Sequence, residues 1–214
     1  MAQAQARSNR GGKPEAQRER AVATRAALLS AARDLFAQAG YHATGTPEIA
    51  ARAQMTRGAL YHHFAGKEEL FAEVFRMVAE ELVLRSNAAA ASLKGDLWPQ
   101  VSEAFRQYLE LVAASAEYQR ILLIDGPAVL GWARWREVQS EFVASGTARA
   151  LEMMMDQGML ARQPAQPLAN LIQAALNDAA MAIANSDRPE ETSREASEAF
   201  QTLLSGLRVQ RRAT

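Results

Sequence analysis

Between Thr56 and Lys67 the chain reads TRGALYHHFAGK, and its hydrogen-bond donors are of the types that suit a polyanion. Tyr61 and His62 offer an O–H and an N–H to phosphate oxygens. Lys67 offers a positive charge beside a helix N-terminus, where anions are already favoured. Arg57 carries a forked guanidinium that matches guanine O6 and N7, which makes it the candidate for reading a base edge. Gly58 and Ala59 are small enough to permit close approach or to meet a thymine methyl. Thr44 and Thr46 can donate hydroxyls at the start of the preceding helix. His63 is as suited to packing at the turn as to touching nucleic acid, and Tyr41 is expected as a hydrophobic anchor. Paired histidines also suggest a metal, but adjacent residues diverge around a helix, His42 is the only other histidine and the chain has no cysteine, so no metal site is expected.

These residues need two short helices and a tight turn, and Thr44 to Phe64 supplies them. Pro47 fixes a first-turn backbone with Thr46 as the expected N-cap. Ile49, Ala50 and Ala53 form an apolar stripe, Gln54-Met55 breaks the period, and Thr56 restarts it as a second N-cap. Leu60 and Phe64 continue the buried face. Arg57, Gly58, Ala59, Tyr61 and His62 are left pointing outward on a surface that can sink into a major groove. A first helix is expected over about 15–39, with Leu28, Ala31, Ala32, Leu35, Phe36 and Ala39 as its core stripe and Gly40 as its stop. A fourth helix is expected over about 67–92, burying Leu70, Val74, Met77 and Val78, with its Ala-rich end from residue 86 fraying.

The run from Leu28 to Leu70, about a fifth of the chain, resembles the DNA-binding domain of the TetR family of bacterial transcriptional regulators. The matching residues are Phe36, Gly40-Tyr41, Thr44, Ile49-Ala50, Gly58, Leu60-Tyr61-His62-His63-Phe64, Lys67 and Leu70. The family usually has Gly-Val in the turn where this chain has Gln54-Met55. Gly45 stands where the family usually has a capping Ser or Thr, which suggests that the cap has moved to Thr46. The resemblance implies that the start of the first helix approaches the DNA backbone, which makes Arg25 a phosphate-contact candidate. It also implies a homodimer and a small-molecule effector.

Composition sets the wider frame. Of 214 residues, 49% are hydrophobic, and the abundance of Ala, Leu, Glu, Gln and Arg favours helix over sheet. Up to Gly66 there are nine Arg/Lys against four Asp/Glu, a surplus of five; with totals of 24 and 24 the remainder carries a deficit of five. A basic end that meets a polyanion and an acidic body that stays off it is the layout expected of a DNA-binding protein. Residues 1–14 are polar and basic and are expected as a disordered arm, either reaching phosphates or the minor groove or simply solvated. No apolar run approaches the ~20 residues that span a bilayer. A cytoplasmic protein without disulfides follows as the expectation.

Past Asp96, an expected N-cap, the chain reads as further helices, with EYQRILLID stopped by Gly126-Pro127 and a long helix closed at Gly158. Trp98, Phe105, Tyr108, Leu122, Asp125, Trp132, Trp135 and Met154 are the candidates for an effector pocket. Aromatic and Met side chains at helical spacing are more often plain core, and Asp125, which could meet a cationic ligand, is better suited to capping a helix. On two final helices, about 167–185 and 189–208, Leu168, Leu171, Ile172, Ala175 and Ala179 form one stripe. Phe200, Leu203, Leu204 and Leu207 belong to the other. The resemblance implies that these pair with their twins across a two-fold axis, as a four-helix bundle.

The expected protein is all-α: an N-terminal three-helix DNA-binding domain with a helix-turn-helix (15–66), then a helical effector-binding and dimerisation domain (67–214) begun by the linking fourth helix. It would be a homodimeric repressor on a near-palindromic double-stranded operator, released by a small-molecule effector. An activator on the same scaffold, or a helical ligand-binding or interaction module without regulatory role, are the alternatives. No nucleophile with a nearby base, no metal set and no phosphate loop is present, so an enzyme is not expected, nor is a cofactor.

Overall fold

The computed structural model describes residues 12–93, 95–141 and 145–209. Apart from an isolated antiparallel bridge between Leu160 and Arg208, the described regular elements are helical, so the chain is all-α. It divides into two compact units, Met1–Val74 and Phe75–Thr214.

The first unit comprises α1 (Gly12–Ala43), α2 (Thr46–Arg52), α3 (Arg57–His63) and the start of α4 (Lys67–Ala91). Of the arm expected over 1–14, residues 1–11 lie outside the described chain, and the remainder is already in α1. Leu28, Ala32 and Phe36 are fully buried on one face of that helix, as their spacing requires. Gly40, at φ 80 and ψ 168, takes a backbone open to glycine and breaks the helical path. Ala39, expected on the stripe, is exposed. Tyr41 completes the cluster instead, its ring 5.8 Å from that of Phe36 and 5.1 Å from that of Phe71.

The N-cap of α2 is Gly45, not Thr46. Glycine at that position gives up a side-chain hydrogen bond at a cost of only a few tenths of a kcal/mol. Pro47, in the first turn, has no N–H to leave unsatisfied. Thr46 is the first helical residue, and its hydroxyl lies 3.3 Å from that of Tyr61.

Helix α2 ends in a Schellman motif. Met55 N–H donates to Ala50 O at 2.8 Å and Gln54 N–H to Ala51 O at 3.0 Å. The pattern requires a left-handed residue at Gln54, and its φ is 58, the one positive value at a described non-glycine residue. Helix α8 (Ser145–Asp156) closes in the same way, Met159 donating to Met154 O and Gly158 to Met155 O, with Gly158 at φ 71. The turn of the first unit thus forms without its glycine, through its own hydrogen bonds.

In the second unit α5 (Leu97–Ala114) buries Phe105, Tyr108, Leu109 and Val112 on one face. Asp96 stands at its N-cap without a side-chain hydrogen bond. Ser86 and Ala90 are buried, so the end of α4 does not fray but joins this core. The single turn α6 (Ala116–Tyr118) runs through a π-helical stretch, Gln119–Asp125, directly into α7 (Gly126–Gln139).

Gly126-Pro127 therefore does not stop the chain. A Cβ on Gly126 would stand 2.7 Å from Phe75 Cε2 and 3.1 Å from Trp135 Cδ1, so glycine is there for space. In the π register the Leu122 carbonyl would pair with residue 127, and proline has no N–H. The Trp135 indole donates to that carbonyl at 2.8 Å. The helix expected from about Pro127 or Trp132 to Gln157 is two elements, α7, with a kink at Gly131 (φ 73) just before Trp132, and α8. Helices α9 (Ala165–Ala184) and α10 (Pro189–Ser205) pack on each other and on α5.

Candidate nucleic-acid interface

Helix α3 is seven residues long and would not persist alone in water. It is held by its cap, where Thr56 Oγ1 accepts from Ala59 N–H at 3.1 Å, and by the complete burial of Leu60. That burial turns Arg57, Gly58, Tyr61 and His62 outward, and all four are exposed; Ala59 is half-buried. The Arg57 guanidinium lies 5.6 Å from the centre of the Tyr61 ring and reaches its hydroxyl at 3.5 Å. Hydrogen bonding with the Thr46 hydroxyl and then with Arg57 holds the Tyr61 phenol below its ordinary pKa. Polar groups from α2 and α3 thus converge on one exposed hydroxyl.

Among the described residues nothing gives Gly58 a conformational or steric reason. Its φ is not positive, and a Cβ there would meet only Thr56 Oγ1, at 3.8 Å. Glycine in an exposed helical position costs roughly 0.8–1.0 kcal/mol against alanine.

Three candidates are turned inward or already engaged. Thr44 is 1% exposed, and its hydroxyl donates to Gly40 O at 2.8 Å, with Leu35 O at 3.3 Å. It cannot reach a phosphate and instead ties the exit of α1. Lys67 Nζ donates to the carbonyls of Tyr41 at 2.8 Å and Thr44 at 2.9 Å, so two of its three N–H groups close the chain leading into α2. Arg25 forms an ion pair with Glu73 at 3.0 Å and lies 5.0 Å from the centre of the Phe64 ring. His63, half-buried, packs beside His62 and Phe64. Among the described residues no three His, Cys, Asp or Glu are grouped to hold a metal.

The expected effector residues do not form one site. Phe105 and Tyr108 line a cavity of about 140 Å³ in the second unit, and Trp98 and Met154 line a narrow crevice of about 10 Å³ that shares Val101, Phe105 and Thr147 with it. Trp132 and Trp135 stack at 4.9 Å and border a separate groove of about 160 Å³ beside α9. Trp135 is 1% exposed and is spent on the Leu122 carbonyl, so it is a pillar of the core. Leu122 and Asp125 are buried and border neither space. Asp125 makes no side-chain cap either, because the helical path is continuous through it.

The cavity has polar residues that the sequence reading missed: Ser86 and Asn87 on α4 and Thr147 on α8. Ser86-Asn87 sits in an Ala-rich run, and only packing against α5 and α8 shows which side is buried. Burial drives the Tyr108 phenol well above its ordinary pKa, so it is a permanent O–H donor.

The dimer candidates separate by burial. Ile172, Phe200 and Leu204 are 2%, 5% and 3% exposed and belong to the subunit's own core. Phe200 meets Phe105 edge-on at 5.1 Å. Leu171 and Leu203 are 70% and 53% exposed, while Leu168, Ala175, Ala179 and Leu207 are half-buried. No described helix is long and apolar enough to cross a membrane.

Comparison with known proteins covers both units. Residues 28–74 match the family described as bacterial regulatory proteins of the tetR family, and residues 98–207 match the tetracyclin repressor-like C-terminal domain. A TetR-family transcriptional regulator from Pectobacterium atrosepticum has a crystal structure that is similar over 91% of this chain and 99% of its own. Its TM-score is 0.80 and its identity 36%. The Tn10 TetC protein of Escherichia coli is 25% identical over 159 residues, 73% of this chain and 78% of that one. The transcriptional regulator RutR of Escherichia coli K12 is 34% identical over 112 residues, which span 52% of this chain and 45% of RutR.

Proposed function

The chain belongs to the TetR family of bacterial regulatory proteins, and from that footing we propose a homodimeric repressor that places one α3 helix in each of two successive major grooves of a near-palindromic operator. The family is one of DNA-binding regulators rather than enzymes. The observation that carries the reading is the outward face of α3. An exposed glycine for which the described residues give no reason stands between an exposed Arg57 and the Tyr61–His62 donors. A glycine that costs helix stability is kept where another surface must come close.

Arg57 reads a base edge, with Gly58 and Ala59 admitting it. Tyr61 and His62 donate to phosphates, and Thr46 steers the Tyr61 hydroxyl rather than reaching DNA itself. Thr56 holds the N-terminus of α3 at the groove. Lys67 and Arg25 contribute field, and position the helices, more than they make dedicated contacts. The dimer forms through the exposed faces of α9 and α10, with Leu171 and Leu203 at its centre and Leu168, Ala175, Ala179 and Leu207 at its margin.

The cavity beside Tyr108 is the effector site. Ser86 and Asn87 place a ligand in contact with α4, the helix that begins at Lys67. Such a ligand acts only through its differential affinity for the operator-competent and operator-free states. A promoter–reporter fusion carrying a selected binding site tests the sense of regulation. Repression that depends on the site and on Leu171 and Leu203 is the expected result. Site-dependent activation would reverse the assignment, and retention of a tight dimer in a Leu171→Glu, Leu203→Glu variant would remove the proposed interface.

A further inference from the structure

We propose that the Tyr108 cavity takes an uncharged molecule about the size of a single six-membered ring, carrying one or two hydrogen-bonding groups such as a hydroxyl or carbonyl. The inference rests on the effector reading above and specifies its chemistry.

Size comes first. At about 140 Å³ the space is well below the ~300–1,000 Å³ of sites for drug-sized ligands. It is close to the ~150 Å³ of a cavity that accepts benzene. Charge comes next. No Asp, Glu, Lys, Arg or His is among the described lining residues, so a buried carboxylate or ammonium would find no counter-charge there.

Polarity is the third constraint. Tyr108 and Thr147 are 3% and 9% exposed, and both line the space. Buried hydroxyls are nearly always paired, so these two define the positions of a ligand's polar groups. The phenol supplies a donor, and the Thr147 hydroxyl either donates or accepts. Ser86 Oγ is committed as a donor to Val83 O at 3.0 Å, which leaves it as an acceptor. Phe105 and Leu176 provide the apolar contact for the ring. A pure hydrocarbon would offer neither hydroxyl a partner, and an ion would be desolvated without compensation.

Calorimetric titration of the full chain, without DNA, tests the assignment with phenol, benzyl alcohol, toluene, benzoate and benzylammonium at neutral pH. Phenol or benzyl alcohol should bind about tenfold or more tightly than the two ions and more tightly than toluene. Tyr108→Phe should abolish the preference of phenol over toluene while leaving toluene binding intact. Ala150→Leu, which fills the space, should abolish binding of all neutral probes without loss of thermal stability. Equal or tighter binding of either ion would overturn the proposal. So would the failure of every neutral probe to bind a protein that is folded and recognises its operator. If the neutral probes bind in the stated order yet leave operator affinity unchanged, the ligand class stands and the effector reading falls.

Discussion

The Lys67 ammonium closes on Tyr41: its Nζ donates to the Tyr41 carbonyl at 2.8 Å and lies 4.1 Å from the centre of the same residue's ring. With the second bond, to Thr44 O, one side chain at the start of α4 holds the segment that leads into the helix-turn-helix. Lys67→Met should therefore lower the stability of the chain by roughly 1–2 kcal/mol, in addition to weakening specific and random DNA alike. Denaturant unfolding and fluorescence anisotropy measure the two effects separately. An unchanged unfolding midpoint with weakened DNA binding would make Lys67 a phosphate contact and nothing more.

Gln54 carries the left-handed backbone that Gly158 carries in the equivalent motif. A left-handed residue with a side chain is strained by roughly 1–2 kcal/mol. Gln54→Gly relieves that strain but gives the unfolded chain more freedom, worth about 0.4–1 kcal/mol, so a modest net gain is expected. Gln54→Val, branched at Cβ, should destabilise by more than about 1 kcal/mol. Chemical denaturation of both variants checks the order, and a valine variant as stable as the parent would contradict the turn geometry.

What was legible in the sequence was mostly local. The Thr56 cap and the Gly158 stop follow from residue type and position, because each forms its hydrogen bonds within a few residues. The features that escaped depend on distant partners. Gly126 reads as a breaker but stays helical, since what it avoids is a clash with Phe75 and Trp135. Thr44 reads as a surface donor, yet Gly40 and Leu35 claim its hydroxyl. Trp132 and Trp135 share an aromatic signal but not an environment: one is 64% exposed, the other 1%. The cavity residues on α4 and α8 gave no signal, because Ser86 and Thr147 become neighbours only when three helices pack.

Gly58 separates folding from recognition. Gly58→Leu places a good helix former in an exposed position with free space around it, so stability should rise by roughly 0.5–1 kcal/mol. Operator affinity should fall by at least about tenfold, since the added side chain occupies the surface that meets the groove. Thermal melts and anisotropy on the same samples decide the matter. An operator affinity unchanged by leucine would mean that α3 does not approach DNA through this face.

On the proposed reading, Arg57 on α3 reads a base in each half of a two-fold-related site. The most direct test is selection of bound sequences from random DNA by the parent protein and by Arg57→Ala, at moderate salt. The expected result is an enriched motif with two inverted half-sites whose centres lie about 34–36 Å apart. With Arg57→Ala the preference at one guanine in each half should relax, by roughly 1–3 kcal/mol, while the others persist. Failure to enrich any two-fold-related motif, or a motif identical in every position for the Arg57→Ala protein, would contradict it.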